Sequence, residues 1–108
     1  MSVFGVAKYI VKADRIGENI ALIPKFKKWM KQRPELFGTM KSYEVYSQQI
    51  GGSFGGFLEI FEYEDLGEFQ KSFGAVMQDK EYLTKWWTEM VALMVPGSFS
   101  IEVWDRVP

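Results

Sequence analysis

Two charged side chains stand inside otherwise apolar runs. Glu59 interrupts Gly56-Phe57-Leu58-Glu59-Ile60-Phe61-Glu62-Tyr63, and Lys8 interrupts Val3-Phe4-Gly5-Val6-Ala7-Lys8-Tyr9-Ile10-Val11. A carboxylate among such neighbours is costly to bury without a partner. One reading is functional: Lys8 and Glu59 as a pocket pair that orients a polar substrate, or Glu59 as a base whose pKa is raised by desolvation. The other is structural: Lys8 and Glu59 as a buried ion pair that fixes the register of two packed sheets. The structural reading carries more weight at this point, because ion-pair networks perturb titration as well. Glu44 and Tyr46 in residues 40–50, and Glu102 and Trp104 in residues 98–106, can complete a pocket lining with Phe57 and Phe61. They can equally be edge-strand charge and interface contact area. Trp86 and Trp87 are adjacent and cannot share one face of a helix. One of them packs on the sheet and the other reaches a pocket mouth or a neighbouring subunit, which makes Trp86 a candidate lining residue.

The composition narrows the chemistry further. The 108 residues hold no histidine and no cysteine. That removes the usual neutral-pH base, zinc sites, a haem held through a proximal histidine, thiolate nucleophiles, disulfides and Ser-His-Asp triads. A site here must work through Asp, Glu, Lys, Arg, Tyr, Ser or Thr, or through the substrate itself. The expectation is a site without metal or bound cofactor. A net charge of −1 gives no electrostatic case for nucleic acid or an anionic membrane. No segment reaches the roughly 20 apolar residues of a membrane span, and residue 3 already enters a strand pattern. A cytoplasmic protein is therefore expected. Hydrophobic content of 47% with 17% aromatics is ample for one packed core, so one domain over residues 1–108 is expected.

The elements that must hold these residues can be read from periodicity. Residues 3–12 alternate as a strand. Asp14 can cap a helix whose apolar stripe is Ile16, Ile20, Ile23, Trp29 and Met30, and Pro24 should kink or split it. Pro34 and Gly38 end that helix, after a lysine-rich last turn. Residues 40–50 form a second strand, with Tyr43 and Val45 on one face and Glu44, Tyr46 and Gln48 on the other. The glycine-rich Gly51–Gly56 segment connects it to the strand of Glu59; no Lys-Ser/Thr pair follows, so it does not read as a phosphate loop. Asp65 with Glu68 resembles a capping box for a helix carrying Phe69, Phe73 and Val76. Asp79 restarts a helix through Tyr82, Trp86 and Met90, and Pro96-Gly97 stops it before a last strand at 98–106.

This order, strand-helix-strand-strand-helix-strand, predicts an α+β, ferredoxin-like βαββαβ fold with a four-stranded antiparallel sheet and two helices on one face. Val3, Ala7, Tyr9, Val11, Leu58, Ile60, Phe99, Ile101 and Val103 are assigned to the helix side. The open face then collects Phe4, Val6, Lys8, Ile10, Glu44, Tyr46, Phe57, Glu59, Phe61, Glu102 and Trp104. So apolar a face requires a cover, and a second copy of the chain is the economical one. Two such sheets face to face make a dimeric, eight-stranded α/β barrel. An RNA-recognition reading of the sheet fails, because the strand of Glu59 has no leading basic residue and places a carboxylate where phosphates would lie.

The strand order, the open-face aromatics and the segment Phe69-Gln70-Lys71-Ser72-Phe73-Gly74-Ala75-Val76-Met77-Gln78-Asp79-Lys80-Glu81-Tyr82 resemble the dimeric α/β-barrel superfamily over nearly the whole chain. The broken second helix with its Asp-x-Glu-aromatic restart is similar to NIPSNAP-type and antibiotic-biosynthesis-monooxygenase-type domains. The resemblance implies a homodimer with a pocket between sheet and helices; the partners expected are a second copy and a small apolar or aromatic ligand, with no nucleic acid and no membrane. It also implies cofactor-independent oxygenation or isomerisation, with Glu59 or a tyrosine handling the proton, or alternatively a non-catalytic dimerisation module. The haem-handling members depend on a histidine that this chain lacks.

Overall fold

A computed structural model describes residues 2–108. The chain runs β1 (Val3–Ile10), a 3-10 turn (Ala13–Arg15), α1 (Ile16–Lys31), α2 (Pro34–Phe37), β2 (Ser42–Ser47) and β3 (Gly56–Tyr63). It continues through α3 (Leu66–Val76), a π-helical turn (Tyr82–Trp86), α4 (Trp87–Leu93) and β4 (Ser100–Asp105). The four strands form one antiparallel sheet in the order β2-β3-β1-β4. β1 and β3 are central and the helices lie on one face, which is the ferredoxin-like α+β arrangement expected.

Local chemistry explains where the helices begin. The Asp65 side chain accepts the Glu68 N–H at 2.8 Å and caps α3. Asp79 accepts the Tyr82 N–H at 3.0 Å and restarts the chain as the π turn that runs into α4. Asp14 lies within the 3-10 turn, and no side chain caps α1. α1 passes through Pro24 as one helix rather than two. Pro24 is exposed, and so is Ile20, whose carbonyl would have received the missing N–H, so water can satisfy the freed oxygen. Pro34, expected only as a stop, opens the one-turn α2. Gly5 lets α3 approach the sheet: a Cβ there would lie 2.5 Å from Phe69 Cε1.

Register corrects one part of the face assignment. Ala7 pairs with Glu59 and Tyr9 with Phe57, so Phe57, Glu59 and Phe61 share the helix face with Ala7 and Tyr9. Leu58 and Ile60, opposite Lys8 and Val6, stand on the open face. The expected placement was the reverse, and with it the Lys8–Glu59 pairing fails: the two side chains point to opposite sides of the sheet. The physical reason is that β3 alternates Leu58 and Ile60 with Phe57 and Phe61. Both faces are apolar, so hydrophobicity could not set the phase. The remaining strands have the expected phase: Ile101 opposes Ala7, while Glu102 and Trp104 oppose Val6 and Phe4 on the open face.

The core lies between the helices and the sheet. Phe26, Trp29, Met30, Leu36, Phe37, Val76, Tyr82 and Trp86 form one buried cluster, and Tyr9, Val11, Phe57, Leu93 and Met94 a second. Among the described residues, no helix is long and apolar enough to cross a membrane.

Candidate functional site

Glu59 lies on the helix face of β3 and is only 5% exposed. Ala7 and Val45 are its direct cross-strand neighbours. Their small side chains leave the carboxyl within reach of the diagonal positions, which carry tyrosines on both sides. Tyr9 in β1 donates its hydroxyl to Glu59 Oε2, and Tyr43 in β2 donates to Oε1 at 2.5 Å. Asn19 on α1 donates through Nδ2 to the Tyr9 hydroxyl at 3.2 Å, completing a buried chain from helix to carboxylate. Tyr9 stacks on Phe57 with ring centres 5.7 Å apart, which holds its ring upright. No Lys or Arg forms an ion pair with Glu59 among the described residues.

The electrostatics follow from this geometry. Burial raises the Glu59 pKa, and the bonds from Tyr43 and Tyr9 pull it partly back by favouring the ionised form. Burial also pushes the Tyr9 and Tyr43 phenols above their ordinary range, and the nearby negative charge of Glu59 pushes them further. Tyr82 is raised by the same two causes. All three phenols therefore keep their protons at neutral pH, and Glu59 is the group able to exchange one.

A cavity of about 180 Å3 opens beside this carboxyl, bounded by the sheet, α3, the π turn and α4. Its wall is aromatic on several sides, through Phe61, Phe69, Phe73, Tyr82, Trp87 and Phe99, with Met77, Met90 and Met94 filling between them. Trp87 meets Phe99 edge-on at 5.0 Å. Among the described residues, Glu59 is the only charged side chain on this wall. Beyond the wall, Arg33 pairs with Asp79 and bonds Glu81 at 3.0 Å, and Glu81 accepts the Trp29 indole N–H at 2.9 Å. This cluster ties the end of α1 to the start of the π turn, and so fixes Tyr82.

The candidate residues named from sequence divide into two groups. Glu59 and Phe61 reach the cavity, and Phe57 supports Tyr9 from beneath. Lys8, Glu44, Tyr46, Glu102 and Trp104 stand together on the opposite, open face. There Lys8 pairs with Glu102 at 3.0 Å and its ammonium lies 5.7 Å from the Trp104 ring centre, while Tyr46 bonds Glu44. Lys8 and Glu102 are each nearly half exposed, and Lys8 holds the Glu102 carboxyl below its usual range. Trp86 is buried in the aromatic cluster around Trp29 and does not line the cavity; its neighbour Trp87 does. Sequence reasoning missed Asn19, Tyr9, Tyr43 and Tyr82 as site residues. Asn19 did leave a signal, being a polar residue three after Ile16 and four before Ile23, inside the apolar stripe.

By sequence, no protein-family model and no curated protein matches the chain. Solved structures do. A NIPSNAP family protein from Agrobacterium tumefaciens is similar at 12% identity over 99% of this chain and 94% of that one, with a TM-score of 0.74. An antibiotic biosynthesis monooxygenase is similar at 17% identity over 98% and 99%, with a TM-score of 0.67. A dimeric protein of ferredoxin-like fold from Bacteroides fragilis is similar at 13% identity over 97% and 96%, with a TM-score of 0.61. At such identities the likeness is one of fold, and the chain has the ferredoxin-like fold that NIPSNAP-type and antibiotic-biosynthesis-monooxygenase-type proteins share.

Proposed function

We propose that the helix-face cavity binds a small, largely apolar molecule and that Glu59 exchanges a proton with it, in a protein that works as a homodimer. The observation that carries this reading is a carboxyl held through both oxygens by two phenols, without a counter-ion, on the wall of an aromatic cavity. Burial disfavours the charge of a carboxylate at that position, a cost that a purely structural role must offset. A proton acceptor gains a raised pKa and a water-poor neighbourhood. In the step itself, a bond from hydrogen to the bound molecule breaks, Glu59 takes the proton, and the electron pair stays on the ligand. Cofactor-independent oxygenation, with dioxygen as co-reactant, and isomerisation both begin this way, and the monooxygenase of like fold supports oxygenation. The cavity adjoins no Lys or Arg, so an anionic substrate is disfavoured.

Dimerisation is supported by the open face, where Leu58 and Ile60 join Phe4 and Ile10 with no helix above them. That the like-folded protein from Bacteroides fragilis is dimeric supports pairing of two copies as well. A non-catalytic assembly module is the second reading; what favours it is the Lys8–Glu102 pair and Trp104 on that face, which suit a register-fixing contact.

Native mass spectrometry of the purified protein reads both features at once, as subunit number and retained small molecule. For proton exchange, an aromatic fragment panel is titrated by calorimetry in two buffers of different ionisation enthalpy. Bound fragments should shift the protonation of the wild type and not of Glu59→Gln. Equal proton exchange in the two proteins would remove Glu59 from the chemistry.

A further inference from the structure

We infer that the cavity selects a small aromatic amine bound as its ammonium cation, with Glu59 as the carboxylate that receives it and Tyr82 as a second acceptor. This rests on the reading that the cavity is a ligand site, and it names the ligand's chemistry.

The argument is an inventory of donors and acceptors on the wall. The Tyr9 proton is committed to Glu59 Oε2, and the Tyr9 oxygen already accepts from Asn19. The Tyr43 proton is committed to Glu59 Oε1. Ser72 donates to the Leu36 carbonyl at 2.6 Å, so the 2.7 Å contact between Ser72 and Tyr63 takes the Tyr63 proton. What Tyr63 offers the cavity is therefore a lone pair. Each Glu59 oxygen retains further lone-pair capacity after accepting one phenol. Tyr82 is 8% exposed and lines the cavity, and among the described residues its hydroxyl makes no hydrogen bond. It stands on a π-helical turn, a distortion that often marks a functional position.

The wall is thus rich in acceptors, poor in donors and without any cation. An anion has almost nothing to bind there, and a neutral acceptor such as an ether finds one free hydroxyl at most. An ammonium group matches the inventory: it brings donors only, and its charge supplies the counter-ion that Glu59 lacks. The aromatic faces of Phe61, Tyr82 and Trp87 add cation–π attraction in a site sheltered from water. Size sets the rest of the ligand. An apolar cavity of about 150 Å3 accommodates benzene, so about 180 Å3 suits one ring with a short aminoalkyl arm. The titratable groups that face Glu59 are few: Tyr9 from β1, Tyr43 from β2 and Tyr82 from the π turn, all neutral, protonated phenols. In the bound complex the exchangeable proton is an N–H. Its transfer to a Glu59 oxygen leaves the neutral amine and a neutral carboxyl.

The test uses three probes of one shape: benzylamine, benzyl alcohol and benzoate, titrated into the full chain by ligand-observed NMR. Benzylamine should bind about tenfold or more tighter than benzyl alcohol at neutral pH, as expected for one charge-assisted contact, and benzoate should not bind. In Glu59→Gln, benzyl alcohol should bind as before while the preference for the amine disappears. Tyr82→Phe should weaken benzylamine more than benzyl alcohol; an undiminished preference in that variant overturns the acceptor role of Tyr82. If Glu59→Gln does not fold, the wild type supplies the readout. The preference must then fall as pH drops toward the ordinary glutamate value of 4.5, because Glu59 becomes neutral. Benzyl alcohol binding as tightly as benzylamine overturns the amine inference and leaves the cavity as a ligand site. Failure of every probe, across a wider fragment panel as well, overturns the ligand site itself.

Discussion

Replacing Tyr9 by phenylalanine removes one hydroxyl and nothing else, yet two groups lose their partner. Glu59 Oε2 loses a phenolic donor, and Asn19 Nδ2 loses the oxygen it points to. A hydrogen bond to a charged group contributes about 1.5–3 kcal/mol, and a buried amide left unsatisfied costs about 1–3 kcal/mol. Together they predict a loss of about 2.5–6 kcal/mol when Glu59 is ionised, a large share of the stability of a domain this size. The loss must depend on pH. The Tyr9 bond favours the ionised carboxyl, so its removal raises the Glu59 pKa further, and each unit of that rise is worth about 1.4 kcal/mol. Glu59 already has a folded pKa above its unfolded one. Its stabilising contribution is therefore complete below the unfolded value and is lost as pH rises through the folded value. Tyr9→Phe should widen that loss at the high-pH side and leave mainly the Asn19 penalty at the low-pH side. Urea unfolding of wild type, Tyr9→Phe, Glu59→Gln and the double variant across pH closes the cycle. Within the Glu59→Gln background Tyr9→Phe should cost about 1–3 kcal/mol at every pH, the Asn19 penalty alone. A loss in the single variant that is flat with pH would refute the claim that Tyr9 holds an ionisable, buried Glu59.

Gly5→Ala places a methyl 2.5 Å from the Phe69 ring, so the ring must leave its place or α3 must lift from the sheet; the expected destabilisation is about 1–3 kcal/mol, read as a lower thermal midpoint. An unchanged midpoint would mean that Phe69 swings aside freely. Leu58→Lys sets a charge at the centre of the open face, opposite Lys8, and should convert the proposed dimer to monomer in light scattering while leaving the circular dichroism spectrum intact. A dimer of undiminished stability would place the interface elsewhere.

Much of the architecture could be read in the sequence, because most elements carry a single clear signal. β1 alternates and carries Val, Phe, Tyr and Ile, α3 has Asp65 and Glu68 at the right separation, and Asp79 marks the restart that its bond to Tyr82 makes real. The failure fell on β3, where the strand's hydrophobicity does not distinguish its faces. Phe57 and Phe61 alternate with Leu58 and Ile60, so the usual rule has no purchase. Phase is set there by neighbours: Tyr9 and Tyr43 place two phenols on the helix side, and only from that side can Glu59 meet them. Those partners lie 50 and 16 residues away, out of reach of any local pattern.

The same residue that resisted local reading is the one that organises the site, and the two facts have one cause. A carboxyl in a strand whose faces are equally apolar is specified by long-range hydrogen bonds and not by burial of its neighbours. Polar contacts of that kind are directional, so a shift of one residue in β3 would turn Glu59 away from both tyrosines and into the company of Lys8. The slipped strand would trade two phenol bonds for one ion pair on a half-exposed face, where such pairs contribute about 0–1 kcal/mol. The native register keeps two charge-assisted bonds, of about 1.5–3 kcal/mol each. It also closes the Asn19–Tyr9–Glu59 chain from α1 to the sheet. Glu59 thus helps to choose its own face, and the choice that satisfies its carboxyl is also the one that turns it toward the aromatic cavity.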